Sequence, residues 1–203
     1  YSSPILATVD GTKHAIFVTR LKTVSLDPDT GKVRFEFPFG KRGPTVNGAS
    51  PMVLDGHLLV SAHYGVGAVF TKIGANSATE KWNSDELISS HYMTPLAQEG
   101  LIYGIHGQER VEESELRCLD PRSQKVLWSK PNFGYGTMLA ADGKMLMQTT
   151  DGELILWQPD ARRYQELARA RVFRSTTRAL PALSNGRLLV RDSRTLKCLQ
   201  VGK

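Results

Sequence analysis

Three histidines occupy positions from which they could bind one ligand together. His63 and His106 are 43 residues apart and each follows a short apolar run, while His91 lies in the polar segment between them. Neutral imidazoles are common metal ligands, and three of them can hold a divalent ion with one coordination position open. A loop histidine can equally cap a turn or face water. Both alternatives stay open at this point.

Charged residues occur in the corresponding segments further along the chain. Arg178, Arg191 and Asp192 follow apolar runs or precede them, and the set that they form with the histidines is polar and mostly cationic. Such a set suits an anion or an acidic peptide. We therefore predict one ligand-binding group of six residues. Its members are His63, His91, His106, Arg178, Arg191 and Asp192.

An internal repeat must position these residues. Five turn pairs, each an acidic or amide residue followed by glycine, recur at steps of 43 to 45 residues between two apolar runs. They are Asp10-Gly11, Asp55-Gly56, Glu99-Gly100, Asp142-Gly143 and Asn185-Gly186. A period of roughly 40 to 50 residues, with short strands and tight turns, is typical of the four-stranded blades of a β-propeller. The fold class is therefore predicted to be all-β.

The repeat divides the chain into about four and a half blades within a single propeller segment, residues 1–203. The predicted blades cover residues 2–40, 49–89, 93–134 and 135–174, and an incomplete blade covers residues 178–203. Residues 161–172 have the composition of a helix, but the repeat places a fourth strand there. Trp82, Trp128 and Trp157 fall at strand positions that are expected to pack between blades.

Propeller topology predicts where the six candidate residues meet. Loops that join the second strand to the third, and segments that join one blade to the next, open at the same mouth of the central channel. The six candidates belong to these loops, so we expect them on this channel face. His14 and His57 lie beside turn glycines at the opposite end of the blades and are expected at the surface.

The third and fourth strands resemble those of a known family. Residues 26–35 and 119–128 share a Leu-Asp strand end, a tight turn with lysine and a terminal aromatic residue. This pattern resembles the pyrroloquinoline-quinone-like (PQQ-like) repeat family, whose members include quinoprotein alcohol dehydrogenases and a non-catalytic outer-membrane-assembly lipoprotein. The resemblance implies a ring of seven or eight blades and an exported protein, either periplasmic, outer-membrane-associated or extracellular. The remaining blades are then expected from a longer chain or from self-association through exposed blade faces.

The catalytic members of that family bind PQQ and Ca²⁺ against neighbouring cysteines. Cys118 and Cys198 are 80 residues apart, so they are expected to be separate, buried and unable to form a disulfide. PQQ with Ca²⁺ is implied by resemblance alone, and whether the chain is an enzyme stays open. We favour a non-catalytic binding or scaffold module for a protein or polysaccharide partner. The alternative is a quinone-type or metal-assisted oxidoreductase with its site on the channel face.

Charge and hydropathy narrow the choice of partners. The formal net charge is +6, with arginines concentrated in residues 162–194. No aromatic residues alternate with these arginines as they do in a stacking platform for nucleic acid, so no nucleic-acid partner is predicted. No apolar run approaches the roughly 18 residues that span a bilayer, so no transmembrane segment is predicted.

Overall fold

A computed structural model describes residues 1–109, 112 and 114–202, and nineteen strands form five antiparallel sheets in this part of the chain. The first two sheets contain β1 Ile5–Val9, β2 Thr12–Val18, β3 Lys22–Leu26, β4 Val33–Pro38, β5 Met52–Leu54, β6 His57–Ala62, β7 Gly67–Gly74 and β8 Ser77–Ser84. The third and fourth contain β9 Leu96–Gln98, β10 Leu101–Gly107, β11 Ser114–Asp120, β12 Lys125–Pro131, β13 Gly136–Ala141, β14 Lys144–Thr149, β15 Glu153–Gln158 and β16 Gln165–Arg171. The fifth contains β17 Ala182–Ser184, β18 Arg187–Arg191 and β19 Leu196–Gln200.

Each sheet is a meander of sequential strands, which is the arrangement of a propeller blade. The predicted all-β blade architecture is therefore confirmed. In the part of the chain that the structure describes, no helix is both long enough and apolar enough to cross a membrane.

The repeated turn pairs connect the first strand of each blade to the second. Asp55 and Gly56 both adopt the left-handed backbone conformation, with φ of 48° and 68°. Two successive positive φ angles define a type I′ turn, whose twist matches that of the strands it joins. The other four pairs repeat this geometry, with the first residue between 47° and 52°. The turns form one end of the blades, which we call the turn rim.

Aromatic residues of the third and fourth strands fill the space between neighbouring blades. The indole N–H of Trp82 donates to the Pro121 carbonyl of the next blade at 2.9 Å, and that of Trp128 donates to the Asp160 carbonyl at 2.8 Å. Trp157 is fully buried in the core between the third and fourth blades. The prediction that these three tryptophans pack between blades is confirmed.

The segments that lead into the innermost strands also connect adjacent blades. The Ser3 amide donates to Ser50 Oγ at 3.1 Å, and the Ser50 amide donates to Thr94 Oγ1 at 2.9 Å. Further along, Thr137 Oγ1 donates to the Ala179 carbonyl at 3.2 Å. These bonds fix the spacing of the blades where they are closest together.

The arginine-rich segment is a strand, as the repeat predicted. β16 pairs with β15, and Arg169 and Arg171 reach across to Glu153 at 2.6 and 3.2 Å. Cross-strand ion pairs and the hydrogen bonds between β15 and β16 stabilise the segment as a strand, in place of the hydrogen bonds that it would form as a helix. These two arginines are consequently paired with carboxylates and not presented as a free cationic surface.

Two expectations about burial were wrong. His14 is fully buried with Nδ1 2.9 Å from Ser25 Oγ, because the even-numbered residues at this end of β2 face the core. Burial, and then the charge of Arg34, lower the pKa of His14. Cys118 is buried as expected, but Cys198 is exposed on the face of β19 that turns away from the fourth blade. His57 is half-buried and stacks on Phe70 with ring centroids 4.8 Å apart.

Candidate functional site

The end of the blades opposite the turn rim is built by the segments that join successive blades. A polar side chain in three of these segments donates to a carbonyl at the end of the second strand of the blade it follows. Asn47 bonds Thr19 O at 2.7 Å, Ser89 bonds Ala62 O at 3.0 Å and Thr177 bonds Thr149 O at 2.5 Å. The joining segments and strand ends therefore form one continuous rim, which we call the mouth.

Five aromatic and imidazole rings meet at the mouth beside the second and third blades. They are His63, Tyr64, His91, Tyr92 and Tyr135, and we call them the mouth cluster. Successive ring centroids are 5.3 Å apart for His63 and Tyr64, 5.2 Å for Tyr64 and His91, 5.1 Å for His91 and Tyr92, and 4.6 Å for Tyr92 and Tyr135. These distances are within the range of favourable aromatic contacts.

The outer part of the cluster is the pair formed by Tyr64 and His91. The Tyr64 hydroxyl lies 3.0 Å from His91 Nε2, and 41% of the tyrosine is exposed. Tyr64 has a φ of 60° in a tight turn that the Val66 amide closes by bonding to the His63 carbonyl. His91 Nδ1 is buried and has no hydrogen-bond partner among the described residues. Burial, and then the nearby His63, lower the pKa of His91, so its imidazole is neutral at pH 7.

Tyr135 supports the cluster from beneath. Its buried hydroxyl accepts hydrogen bonds from the amides of Tyr92 and Met93, at 2.8 and 2.9 Å. Burial raises the pKa of this phenol to about 12, so it keeps its proton. One side chain therefore satisfies two backbone donors, one buried and one partly buried, in the segment that carries His91. Tyr135 is a positioning residue for the histidine and tyrosine above it.

An ion pair lies beside the cluster. The Arg178 guanidinium donates to the Glu109 carboxylate from Nη2 at 2.5 Å and from Nε at 3.1 Å. The pair links the third blade to the segment between the fourth and fifth blades. The pKa of Tyr92 is raised, mainly by burial and then by the negative charge of Glu109. Arg178 therefore lies near the cluster, but its charge is already matched by a carboxylate.

His106 is held inside the mouth by Arg117. The Arg117 guanidinium donates to His106 Nδ1 at 2.9 Å and to the Leu87 carbonyl at 3.0 Å, and it also pairs with Glu115. Burial, followed by the positive charge of Arg117, lowers the pKa of His106 to about 4. The imidazole is thus neutral, and one of its two nitrogens already accepts a bond.

Arg191 and Asp192 lie on the fifth blade and do not join the mouth cluster. Asp192 accepts hydrogen bonds from the amides of Arg194 and Thr195, at 2.8 and 2.6 Å. Its pKa is lowered mainly by a hydrogen bond from Ser175. Arg191 is exposed, and its carbonyl accepts a bond from Gln148. The six predicted residues therefore fall into a group around the cluster and a separate pair.

The imidazoles do not form a metal site. The rings of His63 and His91 are 6.4 Å apart, and His106 Nδ1 is bonded to Arg117. In the described ranges, no three or more histidine, cysteine, aspartate or glutamate side chains are grouped as metal ligands would be. Both cysteines are free and lie on different blades. These residues do not fit the PQQ, Ca²⁺ and paired-cysteine site of the family's catalytic members.

Three residues near the cluster were missed from sequence. Tyr64 and Tyr92 each follow a predicted histidine, so the dipeptide His-Tyr occurs twice, and this repetition was an available signal. Glu109 belongs to a long loop of the third blade. Nothing in the local sequence of that loop indicates a bond to Arg178, which is 69 residues away.

Comparison with known proteins agrees with this architecture. The sequence profile of a family described as "Outer membrane protein assembly factor BamB" matches residues 1–130. No protein in a search of curated sequences matches the chain.

Solved structures share the fold at low sequence identity. BamB from Moraxella catarrhalis superimposes with a TM-score of 0.68 at 12% identity, and the match covers 96% of this chain and 56% of that one. A chain of a crystallised mitotic checkpoint complex gives a TM-score of 0.70 at 11% identity, with 98% and 63% covered. Sqt1 from Saccharomyces cerevisiae gives 0.67 at 12% identity, with 93% and 56% covered.

The chain thus spans a little over half the length of the solved propellers that it resembles. At such identities these neighbours show the fold alone. The family is established by the sequence match, which extends over more than half of the residues. This chain belongs to the BamB-like family of PQQ-like β-propellers.

Proposed function

We propose that this protein is a non-catalytic binding propeller that docks a protein partner at its mouth. The observation that carries the proposal is the mouth cluster. Its outer rings, Tyr64 and His91, are partly exposed, and a buried Tyr135 holds the underlying segment in place. Rigid aromatic residues with polar tips are the side chains that most often dominate binding at protein interfaces.

The ionic state of the mouth supports binding over catalysis. A general acid or base works best when its pKa is near the working pH. Burial and Arg117 lower the pKa of His106 to about 4, and burial raises that of Tyr135 to about 12, so neither group exchanges protons readily at neutral pH. Arg178 and Glu109 are engaged with each other.

The relatives support a protein partner over a polysaccharide. The family profile is described as an assembly factor for outer membrane proteins, and one structural neighbour is part of a mitotic checkpoint complex. Both descriptions name assemblies of proteins. Because the family description also names the outer membrane, we propose that the protein is exported and works in the periplasm or at the outer membrane.

The proposal can be tested with peptides selected by phage display on the immobilised protein. We expect selected peptides to lose at least about tenfold in affinity when Tyr64 and His91 are both changed to alanine, which corresponds to more than 1.4 kcal/mol. The matched control changes two exposed lysines, Lys32→Ala and Lys125→Ala, and should leave affinity unchanged. They lie at the turns between third and fourth strands, which in an antiparallel meander fall at the same end of the blade as the turn rim. Equal binding to the mouth variant and the parent would contradict the proposal.

A thermal-shift experiment addresses the catalytic alternative. PQQ with Ca²⁺, and Zn²⁺ alone, are added separately to the purified protein. We expect neither to raise Tm. A rise of several degrees that disappears in His63→Ala would show ligand binding at the mouth and would overturn the non-catalytic assignment.

A further inference from the structure

The interface between the fourth and fifth blades contains a cavity of about 370 Å³. Most of its lining is aliphatic. The side chains that matter most for its shape are Leu139, Leu146, Leu156, Ala168 and Leu183. The four leucines contact the cavity from both blades and are only partly buried, although they occupy positions between two sheets. This volume is at the lower end of the range of small-molecule pockets.

The cavity exists because one aromatic residue of the repeat is replaced. In each of the first four blades the pairing of the third and fourth strands shifts by one residue. The fourth-strand residue in the pair just before this shift occupies the same position in every blade, so these residues can be compared directly. At this register Phe70 pairs with Trp82, and Cys118 pairs with Trp128. In the fourth blade Leu156 pairs with Ala168. An alanine therefore stands where the other blades have a ring.

The filled interfaces show what the position normally accepts. Trp82 is 6% exposed, and its indole N–H bonds to the carbonyl of Pro121, the residue that follows β11 in the next blade. Phe35 fills the same position of the first blade and is 7% exposed. The residue that follows β19 in the fifth blade is Val201, and it lines the cavity. The space for a ring is therefore present, and it borders the segment after the third strand, where Pro121 and Asp160 supply the acceptors for Trp82 and Trp128 at the other interfaces.

We propose that this cavity is a binding site for a small molecule with an indole-sized aromatic ring. The ring of the ligand would occupy the position that an aromatic side chain of the chain itself fills at the other blade interfaces. Apolar cavities as small as about 150 Å³ are known to bind benzene. The larger cavity here has room for a bicyclic ring. Asp142, Lys144 and Arg169 at its edge leave polar substituents of the ligand in contact with charged groups.

The test is titration of the purified protein with free indole, followed by NMR of leucine methyl groups. We expect saturable shifts at Leu146 and Leu156. Indene, which has the same shape without an N–H, should bind at least about threefold more weakly because it cannot donate to a carbonyl.

Two substitutions show whether the ligand occupies the aromatic position. Ala168→Trp should fill the cavity from within, raise Tm and abolish the shifts caused by indole. Leu167→Trp is the matched control, because residue 167 is half-exposed and lies next to the cavity residue. It should leave indole binding intact. If the tryptophan at position 168 prevents folding, Ala168→Phe supplies the same test with a smaller ring.

Three results would overturn the proposal. They are the absence of methyl shifts with indole, binding of indole that survives in Ala168→Trp, and equal affinity for indole and indene. If a short peptide with a central tryptophan binds more tightly than free indole does, the small-molecule assignment is overturned and the cavity is identified as a binding site for a protein side chain.

Discussion

The two ends of the propeller are built on opposite plans. At the turn rim the same two-residue geometry occurs five times, and its first residue differs by only 5° in φ among the blades, from 47° to 52°. At the mouth the joining segments share an anchoring bond, made by Asn47, Ser89 and Thr177. The residues next to it differ, with His91 and Tyr92 in one segment and Arg178 in another.

This difference separates scaffold from function. A turn that repeats without variation fixes strand register and needs no partner. Variable segments on a constant frame are where binding residues usually gather. The mouth cluster follows this rule, since it is confined to segments around the second and third blades. The predictions below therefore compare changes at the mouth with changes at the turn rim.

The largest loss of stability is expected for Tyr135→Phe. Removal of the hydroxyl leaves the buried amide of Met93 and the partly buried amide of Tyr92 without an acceptor, which should cost about 3 kcal/mol. Urea denaturation gives the free energy of unfolding. Tyr164→Phe is the control, because its hydroxyl bonds an exposed Glu166 and should cost under about 1 kcal/mol. Similar losses in the two variants would refute the positioning role of Tyr135.

The next effect is a dependence on acid pH. The pKa of His106 is lowered to about 4 in the folded protein and returns to about 6.5 on unfolding. The unfolded state therefore binds more protons between these values, and stability is complete above about pH 6.5 and falls as pH decreases towards 4. We expect a loss of about 2 kcal/mol after solvent screening.

His106→Gln tests the source of this loss. Glutamine can still accept a bond from Arg117 but does not titrate. The variant should lose less stability between pH 6.5 and pH 4 than the parent, measured by urea denaturation at each pH. His14 and His91 also have lowered pKa values, so part of the acid sensitivity should remain. An unchanged pH profile would exclude His106 as the main titrating group.

A smaller and repeated effect is expected at the turn rim. Gly11, Gly100 and Gly143 have φ of 78°, 78° and 68°, with open space where a side chain would stand. Replacing any one of them with alanine should cost about 1 kcal/mol, because only the backbone conformation is strained. Thermal denaturation of the three variants should give nearly equal shifts in Tm. Clearly unequal shifts would mean that the turns are not equivalent.

The smallest effect on stability is expected for Tyr64→Ala. This side chain is 41% exposed, and its removal should lower the free energy of unfolding by less than about 1 kcal/mol, because it contacts only the outer rings of the cluster. Binding of mouth-selected peptides should nevertheless fall at least about fivefold, since exposed aromatic residues often dominate an interface. Calorimetry of the variant with such a peptide measures both quantities. A large loss of stability without a loss of binding would reverse the assignment.

The sequence was sufficient to predict most of the fold but only part of the candidate site. The spacing of the Asp-Gly pairs was enough to place the strands, because a type I′ turn has a local signature. It even identified β16 as a strand against helix propensity. His14 was misplaced because side-chain alternation along β2 decides which residues face the core, and the turn glycines alone do not reveal that choice.

Local sequence patterns could not predict which side chains make contact between blades. His63 and His91 could be placed at one end by topology, but the bond between Glu109 and Arg178 depends on the path of a long loop. Ala168 also escaped notice, because the one-residue shift between β15 and β16 must be known before it can be aligned with Trp128.

A protein partner that docks at the mouth must lie close to Tyr64 and away from the turn rim. The most direct measurement installs a photo-reactive phenylalanine analogue at Tyr64 and, in a second protein, at Lys125, which lies at the same end of the blades as the turn rim. Each is irradiated in cells that produce it, and covalent adducts are identified by mass spectrometry. We expect a discrete protein adduct from position 64 and none from position 125, because docking takes place at the mouth. Adducts from position 125 alone would contradict docking at the mouth.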